Sequence, residues 1–328
     1  MDEEYARQTF DNAVVSALTE QYHFERTEDF IRLLNEDLKF DEHCFICRSK
    51  MGSISREHII PRWILSEFDS YPELVNVPNK SKLQFRHLTI PCCSQCNSGI
   101  LSQLEKTIQK MFEKGKRGMN ESDDWAIFAW SLKVYIGLCI KSNHLKSDIR
   151  DPKSGPIFSN EYIESLKPLF TLLLTIKYPI VFENFKPYSI FKFDFEDSSS
   201  YESISFLTHQ AFHCLMFRYK NFGYIISFND DNLLWHIYQN EYIKLKKIKI
   251  SLEKLIEVYS KCLTTLHLIH GRDKFYTILQ KPNGVPHIAS MVEPKKKIEG
   301  MKLYDKALAQ KYLKENYAKL GLSEEEIE

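Results

Sequence analysis

The sequence has no apolar run of membrane length. Its longest, Leu169 to Ile176, is broken by Thr171 and Thr175 and falls far short of the ~20 residues that a membrane-spanning helix needs. The first residues, MDEEYARQ, are acidic, with no basic stretch leading into an apolar one. No secretory signal is therefore expected. Net charge is absent too, with 44 Lys and Arg against 44 Asp and Glu, which removes global basicity as a pointer to nucleic acid. There is no internal repeat, and no low-complexity segment beyond Lys295 to Lys297 and the acidic tail SEEEIE. What is left is a chain of 328 residues, 43% of them hydrophobic. It is long enough for two ordinary domains or one large one, can bury a sizeable core, and is expected to be cytoplasmic with no membrane partner.

Eight cysteines in such a length make no disulfide scaffold, but they are unevenly spread. Five lie between positions 44 and 96, while Cys139, Cys214 and Cys262 are scattered in apolar contexts. Clustered cysteines in a cytosolic chain favour metal over disulfide. Charge is uneven as well. From Cys44 to Arg117 there are 12 Lys and Arg against 6 Asp and Glu, a local basic excess of the kind that binds polyanions.

Along the chain, residues 1 to 40 read as helical, with Phe10, Val14, Val15 and Leu18 on one face and Phe30, Ile31, Leu34 and Leu38 repeating the pattern. Residues 41 to 100 are turn-rich and carry the clustered cysteines. A helix is expected after Asn97, ending near Gly115 and Gly118. Another should start after Ser122 as N-cap, apolar almost all round and so buried. Residues 119 to 328 form a C-terminal α+β region whose role the sequence does not state. Within it, SISFLT, FHCLMFR, FGYIISF and LLWHIY read as strands of an antiparallel meander, and 251 to 270 and 302 to 320 as helices.

Two Cys-x-x-Cys pairs, Cys44 with Cys47 and Cys93 with Cys96, can supply four thiolates to one tetrahedral Zn²⁺. Cys92 is a substitute with poorer spacing. A structural zinc can contribute on the order of 10 kcal/mol to folding, which would order a stretch so poor in apolar periodicity. Zinc would also draw the octet REHIIPRW, residues 56 to 63, towards Asn97. A carboxylate (Glu57), an imidazole (His58) and a carboxamide (Asn97) then converge. Oxygen ligands suit Mg²⁺ or Mn²⁺, and an imidazole titrating near neutrality suits a general base. On an extended segment, Glu57 and His58 point to opposite faces unless the chain twists.

The order C-x-x-C, E-H-I-I-P-x-W, C-x-x-C-N resembles the HNH (His-Me finger, ββα-metal) endonucleases, and more narrowly those that also carry S-x-L-E, matched by Ser102, Leu104 and Glu105, and W-x-x-K, matched by Trp130 and Lys133. The resemblance covers about residues 44 to 140. It implies a β-hairpin plus helix, with His58 as general base and Glu57 and Asn97 as ligands of one catalytic Mg²⁺-type ion. Glu57 stands where Asp or His is common, and Asn76 and Asn79 are alternatives for the family's middle Asn. The implied reaction is phosphodiester hydrolysis in nucleic acid, DNA by resemblance, in bacterial defence or a mobile element, with a protein partner or homo-oligomer as further options.

Arg56 and Arg62 flank the pair and could hold the scissile phosphate. Lys106, Lys110 and Lys114 form one stripe of the helix after Asn97. It would either track a phosphate backbone or be a solvated face. His209 and His213, and His267 and His270, are read as ordinary histidines. The rival function is a non-catalytic zinc-binding module that grips nucleic acid or a protein. The expected fold is α+β, with a zinc-stapled nuclease module at 41 to 118 after an N-terminal helical segment at 1 to 40.

Overall fold

A computed structural model describes residues 27–36, 38, 40, 43–50, 54–115, 123–183, 185–195, 204–269, 276–280, 285–290 and 303–322. The expected helix around Phe10 to Leu18, Ser122 and the Lys295 to Lys297 run lie outside them, as do Arg117 and Gly118. The chain is mixed α and β and divides into two compact units. The first comprises Met1–Gln109, Glu121–Glu183 and Tyr276–Ala289; the second comprises Lys110–Asn120, Asn184–Phe275 and Ser290–Glu328. Residues 119 to 328 are thus shared between the units. Among the described residues no helix is long and apolar enough to cross a membrane.

In the first unit, α1 (Thr27–Asn35) precedes a cysteine turn. β1 (Ile54–His58) then pairs antiparallel with β4 (Thr89–Cys93). Between them come α2 (Arg62–Glu67), a small hairpin of β2 (Leu74–Asn76) with β3 (Lys82–Gln84), and a 3₁₀ turn, Phe85–His87. The register sets Glu57 opposite Ile90 and His58 opposite Thr89. Strand alternation buries Glu57, Ile90 and Cys92 on one face and leaves Arg56 and His58 on the other. After β4 a π-helical turn, Cys96–Leu101, leads into α3 (Ser102–Lys114), which stops at Gly115 with φ +64°, the left-handed stop that glycine accepts.

α4 (Asp124–Asn143) is buried nearly all round, as its composition requires. Its cap is Asp123, one residue after the expected Ser122. Gly137 is there for space. A Cβ at this position would lie 3.1 Å from Ile59 and 3.4 Å from Ile90, so the missing side chain lets α4 lie against the ribbon directly behind His58. α5 (Asn160–Ser165) and α6 (Lys167–Leu173) follow. β5 (Val181–Phe182) completes a three-stranded sheet with β11 (Tyr276–Gln280) and β12 (Pro286–Ser290).

The second unit is built on a five-stranded sheet in the order β10-β6-β9-β8-β7, with β6 (Tyr188–Phe195), β7 (Ser205–His209), β8 (Cys214–Tyr219), β9 (Phe222–Phe228) and β10 (Lys249–Ile250). All pairs are antiparallel except β10 with β6. Every residue of β8 and β9 is buried, as suits strands covered on both faces. α7 (Leu233–Leu245), α8 (Leu252–Ile269) and α9 (Lys306–Leu320) complete it. The segment LLWHIY, expected as a strand, is the start of α7. The Asp230 carboxylate accepts the Leu234 N–H at 3.2 Å, and Ser189 Oγ accepts the Trp235 N–H at 3.0 Å. Caps supplied from a turn and from β6 select helix where local propensity was ambiguous.

Candidate functional site

The Sγ atoms of Cys44, Cys47, Cys93 and Cys96 all lie within 4.8 Å of one another. The first pair sits on a tight turn in which the Arg48 N–H reaches the Cys44 carbonyl at 2.8 Å and Arg48 takes φ 54°. The second pair spans the end of β4, where the Cys96 N–H points at Cys93 Sγ at 3.4 Å. With Zn–S bonds of ~2.3 Å, a tetrahedral site has S–S edges of about 3.8 Å; Cys47 and Cys93 stand 3.7 Å apart. The four thiols could hold a structural metal such as zinc. Hydrogen bonds from Cys47, Cys92 and Cys96 pull Cys44 far below the usual thiol range, and hydrogen bonds to Cys44 and Cys47, then burial and the Cys44 charge, push Cys96 well above it. A dication would relieve that crowding. Cys92 Sγ also lies 3.8 Å from Cys44 Sγ, but alternation along β4 turns Cys92 inward, away from the Cys93 side. Cys93 is therefore the better placed ligand.

Arg48 braces this turn. Its guanidinium is buried and donates to the backbone carbonyls of Leu33 and Glu36, tying α1 to the cysteine cluster.

His58 ends β1, half-buried. Arg62, the first residue of α2, donates its Nε–H to His58 Nδ1 at 3.3 Å, and Tyr71 meets the imidazole edge-on with centroids 6.3 Å apart. Burial lowers the imidazole's basicity and the Arg62 charge lowers it further, against a smaller opposing pull from Glu57. The ring is thus favoured in its neutral form, the form a base requires. Arg56 is exposed two residues earlier on the same strand face. Lys141 of α4 is held below its ordinary basicity by burial and then by Arg56. Nothing in the sequence reading singled out Lys141 or Tyr71. Tyr71 lies 13 residues beyond His58 and Lys141 lies 85 beyond Arg56, so no short motif could contain either pair.

Glu57 points the other way. It is 6% exposed and forms an ion pair with the ammonium of Lys133. Asn97 lies in the π-helical turn and donates its amide N–H to Ser55 Oγ at 3.2 Å; Ser55 in turn donates to the Cys92 carbonyl at 2.6 Å. Ser55 shares the Glu57 face of β1. Asn97 makes no side-chain cap; the residue at that position is Gln95, also without a cap bond. The trio expected to converge is therefore divided, with His58 on one face of the ribbon and Glu57 and Asn97 directed to the other. For a Mg²⁺-type ion bound beside His58 the donor set does not fit as it stands, since an ammonium already occupies a carboxylate oxygen of Glu57.

Lys106, Lys110 and Lys114 are all exposed on α3, as the helical stripe predicted. Glu105, on the same helix, turns inward to Lys133 at 3.0 Å. Asn79 is engaged by Ser81 and by the Lys146 carbonyl, and Asn76 lies exposed on β2. His209 ends strand β7 and stacks on Phe212, and His267 hydrogen-bonds the Tyr312 hydroxyl at 2.8 Å. Comparison with protein-family models, with curated proteins and with solved structures found no significant match to this chain.

Proposed function

We propose that the chain hydrolyses phosphodiester bonds in nucleic acid, DNA being the substrate class that its motif order suggests, with His58 as general base. One observation carries the reading. A half-buried imidazole, kept neutral by burial and by Arg62, stands at the end of an antiparallel ribbon that is followed by a helix and flanked by a four-cysteine cluster. In this reading Arg62 lets go of His58 Nδ1, water attacks the phosphorus in line, its proton passes to that freed nitrogen, and the P–O bond breaks as solvent protonates the leaving oxygen. Arg56 and Arg62 would balance the phosphate charge. A divalent ion, where one binds, would supply further charge stabilisation on the phosphate.

A second reading is kept by the placement of Glu57. With the carboxylate committed to Lys133, the chain would serve as a zinc-ordered module that binds nucleic acid through Arg56, Arg62 and the exposed Lys106 without cutting it. Cleavage of supercoiled plasmid and of labelled single strands, with Mg²⁺ or Mn²⁺ titrated, separates the two. Loss of a general base costs about 10² to 10⁴-fold, so folded, zinc-loaded His58→Ala should cut that much more slowly. Equal cutting by His58→Ala would reject the role of His58. Binding without cutting by the wild type would establish the second reading.

A further inference from the structure

Three elements of the sequence signature had no chemistry attached to two of their members. Glu57 precedes the histidine, Glu105 comes from the S-x-L-E element on α3 and Lys133 from the W-x-x-K element on α4. They meet in one place. Lys133 has 0% exposure. Its Nζ donates to the backbone carbonyl of His58 at 2.8 Å and lies 3.3 Å from that of Ile59. It also donates to Glu105 Oε1 at 3.0 Å and is paired with Glu57 Oε1.

An ammonium has three N–H donors and no acceptor. Here two carboxyl and two carbonyl oxygens surround it, as they would a small hard cation. Burial by itself lowers the basicity of Lys133; the carboxylates of Glu57 and then Glu105 outweigh it and raise the ammonium's pKa above its ordinary value. Gly137, one turn further along α4, brings that helix within contact of Ile59 and Ile90. The charged group is thereby delivered to the backbone that carries His58.

We infer that Lys133 is a positioning residue for His58 and a built-in cation for Glu57, so that Glu57 holds Lys133 and is not a ligand of a divalent ion. A metal ion and an ammonium on one carboxylate oxygen would repel at close range. The carbonyl of His58 is fixed by the same ammonium, so the residue proposed as base is anchored through its own backbone. The positioning half of the inference rests on the nuclease reading of His58; the counter-ion half does not.

The test uses the full-length, zinc-loaded chain as wild type, Glu57→Gln, Lys133→Met and the double variant. Thermal melts come first. Lys133→Met leaves two carboxylates facing each other in a buried site, and its melting temperature should fall sharply. Adding Glu57→Gln should restore much of the loss. Losses that simply add would overturn the pairing. Mn²⁺ is then titrated against wild type and Glu57→Gln while paramagnetic broadening of the His58 ring resonances is followed. The midpoints should coincide, or broadening should be absent from both. A midpoint raised tenfold or more in Glu57→Gln would overturn the inference by making Glu57 a metal ligand. This comparison decides the matter even where Lys133→Met does not fold. Where the wild type cuts nucleic acid, Lys133→Met should lower kcat by roughly 10²-fold, the cost of a small misplacement of a reacting group, with KM unchanged; a change confined to KM would reject the positioning role. A wild type that cuts nothing removes the nuclease reading but leaves the melts and the Mn²⁺ titration to judge Glu57 and Lys133.

Discussion

Arg62 donates its Nε–H to Nδ1 of His58 across 3.3 Å. Because Nδ1 accepts, the neutral ring carries its proton on Nε2, an assignment that follows from the hydrogen bond. The lone pair a base would use is then the one facing Arg62. Burial and the guanidinium together lower the imidazole's basicity. Arg62→Met should therefore raise the His58 pKa towards its ordinary value, read from the ring proton shifts in an NMR pH titration. An unmoved titration curve would mean that the guanidinium is not held against the ring in solution.

The cysteine cluster makes a sharper prediction than zinc content alone. Cys92 and Cys93 are adjacent, but strand alternation sends them to opposite faces of β4. Cys93→Ser should lose the bound zinc, whereas Cys92→Ala should retain one zinc per chain by metal analysis. Structural zinc is worth on the order of 10 kcal/mol in small metal-dependent modules, so chelation of the wild type should also produce a large fall in melting temperature. Retention of zinc by Cys93→Ser with loss by Cys92→Ala would exchange the two roles.

How far the sequence could be read depended on how local each determinant was. The two Cys-x-x-Cys pairs were legible because thiol spacing is a short-range signal. The helix Asp124–Asn143 was legible because apolar residues surround it on every side. LLWHIY was not, because an aromatic and aliphatic hexamer suits either conformation, and the groups that decide it include Ser189, 46 residues before the Trp235 whose N–H it accepts. The pairing of β12 with β5, His287 opposite Val181, gave no sequence signal at all. At the site, Glu57 was visible as a carboxylate beside a histidine, but its partner was not. Lys133 lies 75 residues beyond His58 and 28 beyond Glu105, and only packing of α4 on the ribbon brings it in. Alternation along β1 gave the one early hint that Glu57 and His58 diverge.

Glu105 gives the pH dependence of this arrangement. Its pKa is pushed up from the ordinary 4.5 to about 7, chiefly by burial; Lys133 opposes the shift and the Glu57 charge adds to it. One ammonium faces two carboxylates, so a proton on Glu105 makes the cluster neutral. In the unfolded chain Glu105 loses its proton near the ordinary value. The folded state therefore binds the extra proton between about 4.5 and about 7, and where the folded state binds more protons, stability falls as pH rises. The contribution is complete below that window, declines through it and is gone above it. Glu105→Gln keeps the shape and neutrality of the protonated acid and has nothing to lose. Melting temperatures of wild type and Glu105→Gln should converge near pH 4.5 and separate towards pH 8, with the glutamine variant higher. If the glutamine variant instead melts lower at pH 8, the attraction of the ionised Glu105 to Lys133 outweighs the cost of its burial.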